Sequence, residues 1–257
     1  MLMKFLKSLA VFSILFCIFT ANAAAYEKNE KISWHFKSKG NNTRPEILSG
    51  SDLPNRYGAI YMGDETDKRV YLTFDAGYSN ESLEKILDTL KNHKVQGAFF
   101  ILPGIIKNSP ETVKRMANEG HLVCNHSTTH GDMSKITDIQ RFKEELTGVE
   151  ELYQSVTGFE MEKFFRPPEG SFSVNTLEFC KELGYTPVFW SFAYVDWEDN
   201  NQPNLEKAKA NIFNRVHNGC VMLLHPTSKV NAEILDEVIT KLKDDGYTFG
   251  SLYDLVK

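Results

Sequence analysis

His126 and His130 stand four residues apart in the segment Asn125-His126-Ser127-Thr128-Thr129-His130. On a helical turn that spacing puts both imidazoles on one side, within reach of one metal ion. Two ordinary surface histidines share the same spacing, so the pair alone is a weak signal. Asp75, in Asp75-Ala76-Gly77, reads as a turn carboxylate or as a general base. A base acting on water beside a metal must be a nearby carboxylate that stays free to take a proton. Arg166 opens Arg166-Pro167-Pro168-Glu169-Gly170. Two prolines fix the backbone behind it, which suits an inward-pointing side chain better than a surface ion pair. Beside Asp75 it would hold the carboxyl pKa down. Backbone N–H groups of the Glu169-Gly170 turn could face a developing oxyanion. His225 follows Val221-Met222-Leu223-Leu224. It is a core histidine or a proton donor for a leaving amine. Asp196 could raise its pKa, and Trp197 is packing or a pocket wall.

These residues act together only if the chain brings them to one rim. Arg69 to Phe74 is a short β-branched and aromatic run, as expected of a buried strand. Leu83, Ile86, Leu87 and Leu90 recur at helical spacing between Ser79 and His93, with Ser79 as a plausible N-cap. The alternation continues with strands over 97–101, 121–124, 164–165, 185–190, 220–224 and 247–249. Helices are expected over 109–119, 137–156, 175–183, 204–217, 230–244 and 251–256. Seven strand–helix units imply a parallel sheet with helical crossovers. The strands are almost wholly apolar, as when both faces are covered. An open doubly wound sheet and a closed barrel both fit. In either, functional groups gather at the C-terminal strand ends, and each residue singled out above follows a strand.

The rest of the chain bounds the setting. Its 257 residues are 42% hydrophobic and 25% charged, with 16 Gly and 9 Pro, which excludes a disordered or collagen-like chain. With 29 basic and 34 acidic side chains there is no basic excess to neutralise phosphates, so a nucleic-acid partner is not expected. Lys4 and Lys7, an apolar run from Leu9 to Phe19, and Ala21-Asn22-Ala23 read as a signal peptide over residues 1–23. The run is short for a membrane span, which needs roughly 20 residues. Cleavage would remove Cys17 and leave Cys124, Cys180 and Cys220, in apolar surroundings and with no C-x-x-C spacing. They read as buried free thiols. Residues 24–66, rich in polar and turn-forming residues, read as an N-terminal extension that Trp34 and Phe36 could pin to a main domain over 67–257.

Five segments in order carry a specific likeness. Thr73-Phe74-Asp75-Ala76-Gly77, His126 to His130, Arg166 to Gly170, Asp196-Trp197 and Leu223-Leu224-His225 resemble the motifs of the polysaccharide deacetylases. These are the NodB-homology proteins, or carbohydrate esterase family 4. The likeness spans about residues 66 to 255. It implies a distorted (β/α)7 barrel and metal-dependent hydrolysis of N-acetyl groups from glycans. Residue by residue, it implies Asp75 as general base, His126 and His130 as metal ligands, and His225 as general acid. Arg166 would orient Asp75, and Asp196 would tune His225. Leu223 and Trp197 would shape the slot for the acetyl methyl.

The chain departs from the family at Ala76, where a second, metal-binding aspartate is usual. A divalent ion, with Zn²⁺ the ion expected, would then have two protein ligands and be held weakly. The same variant is similar to the delta-lactam-biosynthetic de-N-acetylases, which act on N-acetylmuramic acid of the spore cortex. Glu169, where many relatives carry an aromatic, fits that branch. The likeness implies an exported monomer acting on peptidoglycan strands in the cell wall or the space between the spore membranes. N-acetylglucosamine in peptidoglycan or chitin-like chains and acetylated xylan are the rival substrates. A glycan-binding pseudoenzyme that lost its metal with Ala76 is the rival class. Retention of Asp75, Arg166, Asp196 and His225 argues against it.

Overall fold

The computed structural model describes residues 27–49, 52–198 and 201–256; the expected signal peptide lies outside them. The first elements among the described residues are short strands β1 (Ile32–Ser33), β2 (Phe36–Lys37) and β3 (Glu46–Ile47) and helix α1 (Asp52–Arg56). The regular part then runs β4 (Arg69–Ala76), α2 (Glu81–His93), β5 (Gly97–Ile101), α3 (Pro103–Asn108), α4 (Pro110–Asn118), β6 (Leu122–Asn125) and α5 (Ile139–Thr157). It continues with β7 (Glu162–Phe165), β8 (Ser171–Phe172), α6 (Val174–Glu182), β9 (Thr186–Pro187), α7 (Leu205–Arg215), β10 (Cys220–Leu224), α8 (Lys229–Asp244) and β11 (Thr248–Phe249).

Seven strands form one sheet in the order β10-β4-β5-β6-β7-β9, with β11 on the start of β4. The pairs along it are parallel. The sheet curls, and single bridges close its gap: Ile60 to Val188, Met62 to Cys220 and Phe192 to Met222. This is the distorted (β/α)7 barrel that the family likeness implied, not an open doubly wound sheet.

Strand pleating gives the barrel two cores. Tyr71, Ala98, Phe100, Leu122, Cys124, Phe164, Val188 and Val221 fill the inside. Val70, Leu72, Phe74, Ala76, Phe99, Ile101 and Met222 face outward under the helices, against Leu83, Ile86, Leu87 and Leu90 of α2 and Leu235, Val238 and Ile239 of α8. The alternation matters for chemistry. Thr73 and Asp75 continue the inner face begun by Tyr71, and Leu223 continues that begun by Val221.

The N-terminal segment closes over one end. Ile32 pairs with Phe172 in an antiparallel bridge between β1 and β8. Trp34 is buried, stacks on Phe189 at 4.5 Å and donates from Nε1 to the carbonyl of Trp190 at 2.8 Å.

Local details differ from the sequence reading, among them the last helix expected over 251–256, which is a 3₁₀ turn at Leu252–Leu255. Asn80, not Ser79, caps α2, its side chain accepting from the Leu83 N–H at 3.2 Å. The expected strand over 185–190 pairs with β7 at Thr186–Pro187 and passes at Val188 to a single bridge with Ile60. The short helix α3, which buries Ile105 and Ile106, was not anticipated. Cys124, Cys180 and Cys220 are buried free thiols as expected.

Candidate active site

Asp75 is the second-last residue of β4, and His126, Arg166 and His225 each come one residue after β6, β7 and β10. The parallel register brings these ends to one rim. Arg166 is fully buried, and each part of its guanidinium is used. Nε donates to the Val188 carbonyl at 3.2 Å, Nη2 to Thr73 Oγ1 at 2.8 Å and Nη1 to Asp75 Oδ1 at 2.6 Å. Its flat face lies 4.1 Å from the ring centre of Phe100. A buried cation is tolerated only when paired and hydrogen-bonded, and Asp75 supplies the pair. Burial would push the Asp75 carboxyl up. Arg166, then His126 and His225, outweigh burial and hold it below the ordinary carboxylate range. Asp75 is therefore an ionised, acceptor-only group at neutral pH.

The imidazole of His126 is positioned by the same arginine. Its Nδ1 lies 2.8 Å from the Arg166 carbonyl, which can only accept, so Nδ1 carries the proton. Nε2 is left with its lone pair, 3.6 Å from Asp75 Oδ2. Burial lowers the His126 pKa to about 4, against an upward pull from Asp75, so the ring stays neutral. The His130 ring stands edge-on to it with centroids 5.0 Å apart.

The two rings meet for a reason other than the one expected. No helix runs through this segment. Ser127 and His130 adopt left-handed backbone, with φ of 73° and 55°, a conformation that costs non-glycine residues energy and needs outside support. The support is Glu145 on α5, buried to 2% exposure. Its carboxylate accepts from the N–H groups of Thr128 and Thr129 at 3.2 and 2.9 Å. Asn125 Oδ1 accepts from Ser127 N–H at 2.9 Å. Glu145 was missed in the sequence. Its signal is a charge on the buried face of α5, at helical spacing with Phe142, Leu146 and Val149.

Across the site, His225 Nδ1 lies 2.6 Å from Asp196 Oδ1, and its backbone N–H donates to Asp196 Oδ2 at 2.8 Å. Burial disfavours the charged imidazole. The hydrogen bond and charge of Asp196, with help from Asp75, outweigh burial and raise the His225 pKa. The rim thus holds a carboxylate whose pKa is pulled down and an imidazole whose pKa is pushed up. Trp197, 53% exposed, stands edge-on to His225 with ring centroids at 5.4 Å. Leu223 is buried and pairs in register with Thr73.

Of the two N–H groups expected to serve as donors in the Glu169-Gly170 turn, that of Gly170 is spent inside the turn. Gly170 N–H donates to the Pro167 carbonyl at 3.0 Å, and its own carbonyl accepts from Trp34 N–H at 2.9 Å. Glu169 takes a left-handed φ of 56°, which closes the turn. Gly170 is needed for space: a Cβ there would lie 2.8 Å from Trp190 and 2.9 Å from Trp34.

The donor set fits a divalent ion held by two imidazoles. His126 is neutral, and its tautomer is fixed with Nε2 free, as metal-bound histidine requires. Ala76 presents a buried methyl in the outer core and no ligand. Among the described residues no cluster of three or more His, Cys, Asp or Glu forms a fuller metal site.

Comparison with known proteins agrees with this fold. The polysaccharide deacetylase family model matches residues 62–188. The peptidoglycan-N-acetylmuramic acid deacetylase PdaA of Bacillus subtilis is 41% identical over 255 residues, 99% of this chain and 96% of that protein. A peptidoglycan-N-acetylglucosamine deacetylase of Bacillus cereus is 32% identical over 201 residues, 77% of this chain and 71% of that protein. The solved structure of Bacillus subtilis PdaA, a family 4 carbohydrate esterase, superposes with a TM-score of 0.84 and 42% identity, covering 88% of this chain and 97% of that one. The chain belongs to the polysaccharide deacetylases of carbohydrate esterase family 4, hydrolases of N-acetyl amide bonds.

Proposed function

We propose that the protein removes the acetyl group from N-acetylmuramic acid in peptidoglycan. The chemistry rests on one observation: on the same rim Asp75 is paired with Arg166 at 2.6 Å and His225 with Asp196 at 2.6 Å, which pulls the carboxyl pKa down and pushes the imidazole pKa up. Two groups whose environments push their pKa values apart define a base and an acid. Asp75 takes the proton of the attacking water. As the tetrahedral adduct collapses, His225 gives its proton to the departing nitrogen, and acetate leaves. Arg166 keeps Asp75 ionised and aimed. Asp196 holds the Nδ1 proton of His225, so Nε2 is the atom that faces the substrate. A divalent ion held by His126 and His130, with Zn²⁺ our choice, would supply positive charge to the acetyl oxygen and lower the pKa of water.

The muramic assignment is supported by likeness over nearly the whole length of a muramic acid deacetylase. N-acetylglucosamine is the second reading, favoured by the relative that acts on it. We infer further that the protein is exported and works on the wall or spore cortex, where the freed amine closes to a δ-lactam. The support is the segment over 1–23 and the shared Ala76 variant. The test of the chemistry is acetate release from peptide-stripped glycan strands with added divalent ion. Asp75→Asn and His225→Ala should each abolish release while the protein stays folded by circular dichroism. Near-wild-type release in either would refute its assigned role.

A further inference from the structure

Asn231 is an amide buried to 1% exposure, on the first turn of α8. Helix α8 starts at Ser228, whose Oγ accepts from Asn231 N–H at 3.2 Å. From there the Asn231 side chain turns inward to the rim, and every polar atom on it is matched. Nδ2 donates to Asp196 Oδ2 at 2.6 Å and to the His225 carbonyl at 3.1 Å. Oδ1 accepts from the hydroxyl of Tyr194. The amide has one allowed orientation. Flipping it would set its oxygen against a carboxylate and a carbonyl, both acceptors.

We propose that Asn231 is a positioning residue for proton donation: it locks the Asp196–His225 pair so that the imidazole points at the leaving nitrogen. The proposal rests on the general-acid role given to His225 above. Asp196 lies in the irregular stretch after β9, His225 in the loop after β10, and no ladder joins them at that point. One amide ties the carboxylate, the backbone of His225 and the start of α8 together. Without it, Oδ2 of Asp196 keeps only the His225 N–H, and the carboxylate can rotate away from Nδ1. Loss of aim by about 1 Å costs on the order of 10²-fold in rate. Partial retention through the remaining N–H sets the expected loss nearer tenfold.

The experiment measures acetate release by full-length Asn231→Ala beside wild type and His225→Ala, with added Zn²⁺. Asn231→Ala should lose about tenfold in kcat with KM within twofold. The downfield Nδ1 proton resonance of His225 should also move or broaden. A kcat within twofold of wild type, with His225→Ala inactive, would overturn the lock and leave the acid role standing. An active His225→Ala would instead overturn the acid role on which the lock depends. If Asn231→Ala does not fold, Tyr194→Phe decides. It removes only the hydroxyl that fixes the Asn231 oxygen and should lower kcat about threefold at constant KM. An unchanged kcat there, or a loss expressed only in KM, would contradict the proposal.

Discussion

Arg166 holds His126 through its backbone and Asp75 through its side chain: the carbonyl accepts from His126 Nδ1 at 2.8 Å and the guanidinium donates to Asp75 at 2.6 Å. One residue therefore sets the tautomer of His126, the proposed ion ligand, and the ionisation of Asp75, the proposed base. Arg166→Met should raise the Asp75 pKa, because burial is then unopposed by its main counter-charge. The acid limb of the kcat/KM profile should move to higher pH, and the rate at neutral pH should fall by roughly 10²-fold or more. Removing one partner of a buried pair also costs about 3–5 kcal/mol. A pH–rate profile with denaturant melts checks both.

Asp196 raises the His225 pKa, so the acid form persists above the ordinary histidine value. Asp196→Asn should move the alkaline limb of the same profile to lower pH. It should also lower kcat by roughly 10²–10³-fold, through loss of both charge and tautomer control. An alkaline limb that does not move would separate His225 from that ionisation.

Ion binding should be tunable at the exposed histidine. Chelation of the purified protein should remove acetate release, and added Zn²⁺ should restore it. His130→Ala should raise the ion concentration for half-activity at least tenfold, since one of two imidazole ligands is gone. Ion titration followed by acetate release is the check.

The N-terminal segment should be part of the site's support. Trp34 stacks on Phe189, bonds to Trp190 and holds the Gly170 carbonyl. Trp34→Ala should cost about 3–5 kcal/mol of stability and lower activity by loosening the turn behind Arg166. Urea melts and acetate release at a temperature where the variant is folded would show both.

Acid should destabilise the fold through buried neutral histidines. His121 and His217 have pKa values lowered to about 4, in each case first by burial. Between pH 6.5 and about 4 the unfolded chain binds protons that these folded histidines refuse. Stability therefore rises with pH across that window and is lost as pH falls through it. His225 has the opposite sign: its raised pKa adds stability below pH 6.5 that fades as pH rises through the folded value. Denaturant midpoints from pH 7 to 4 should fall, and His217→Gln should shrink the slope.

The parallel strand–helix alternation and the five site segments were legible because strand runs and strand-end residues are local in sequence. The open-or-closed question was not, since Ile60, Met62 and Phe192 close the sheet by single bridges without any strand pattern. The histidine pair was found by the wrong geometry. A helical turn was expected, but two left-handed residues and Glu145 make the contact. Glu145 sits 16 and 17 residues from Thr129 and Thr128, and Asn231 sits 35 residues from Asp196. Each showed only as a polar residue on a buried helix face, a signal that does not name its partner. Of the two donors expected in the turn at Glu169-Gly170, Gly170 cannot serve, because its N–H is spent within the turn itself.

The most direct measurement is mass analysis of peptide-stripped peptidoglycan fragments after incubation with the purified protein and Zn²⁺. The account predicts loss of acetyl from muramic acid residues, with none lost in the Asp75→Asn reaction. Acetyl loss confined to glucosamine residues, or no loss with any divalent ion, would contradict it.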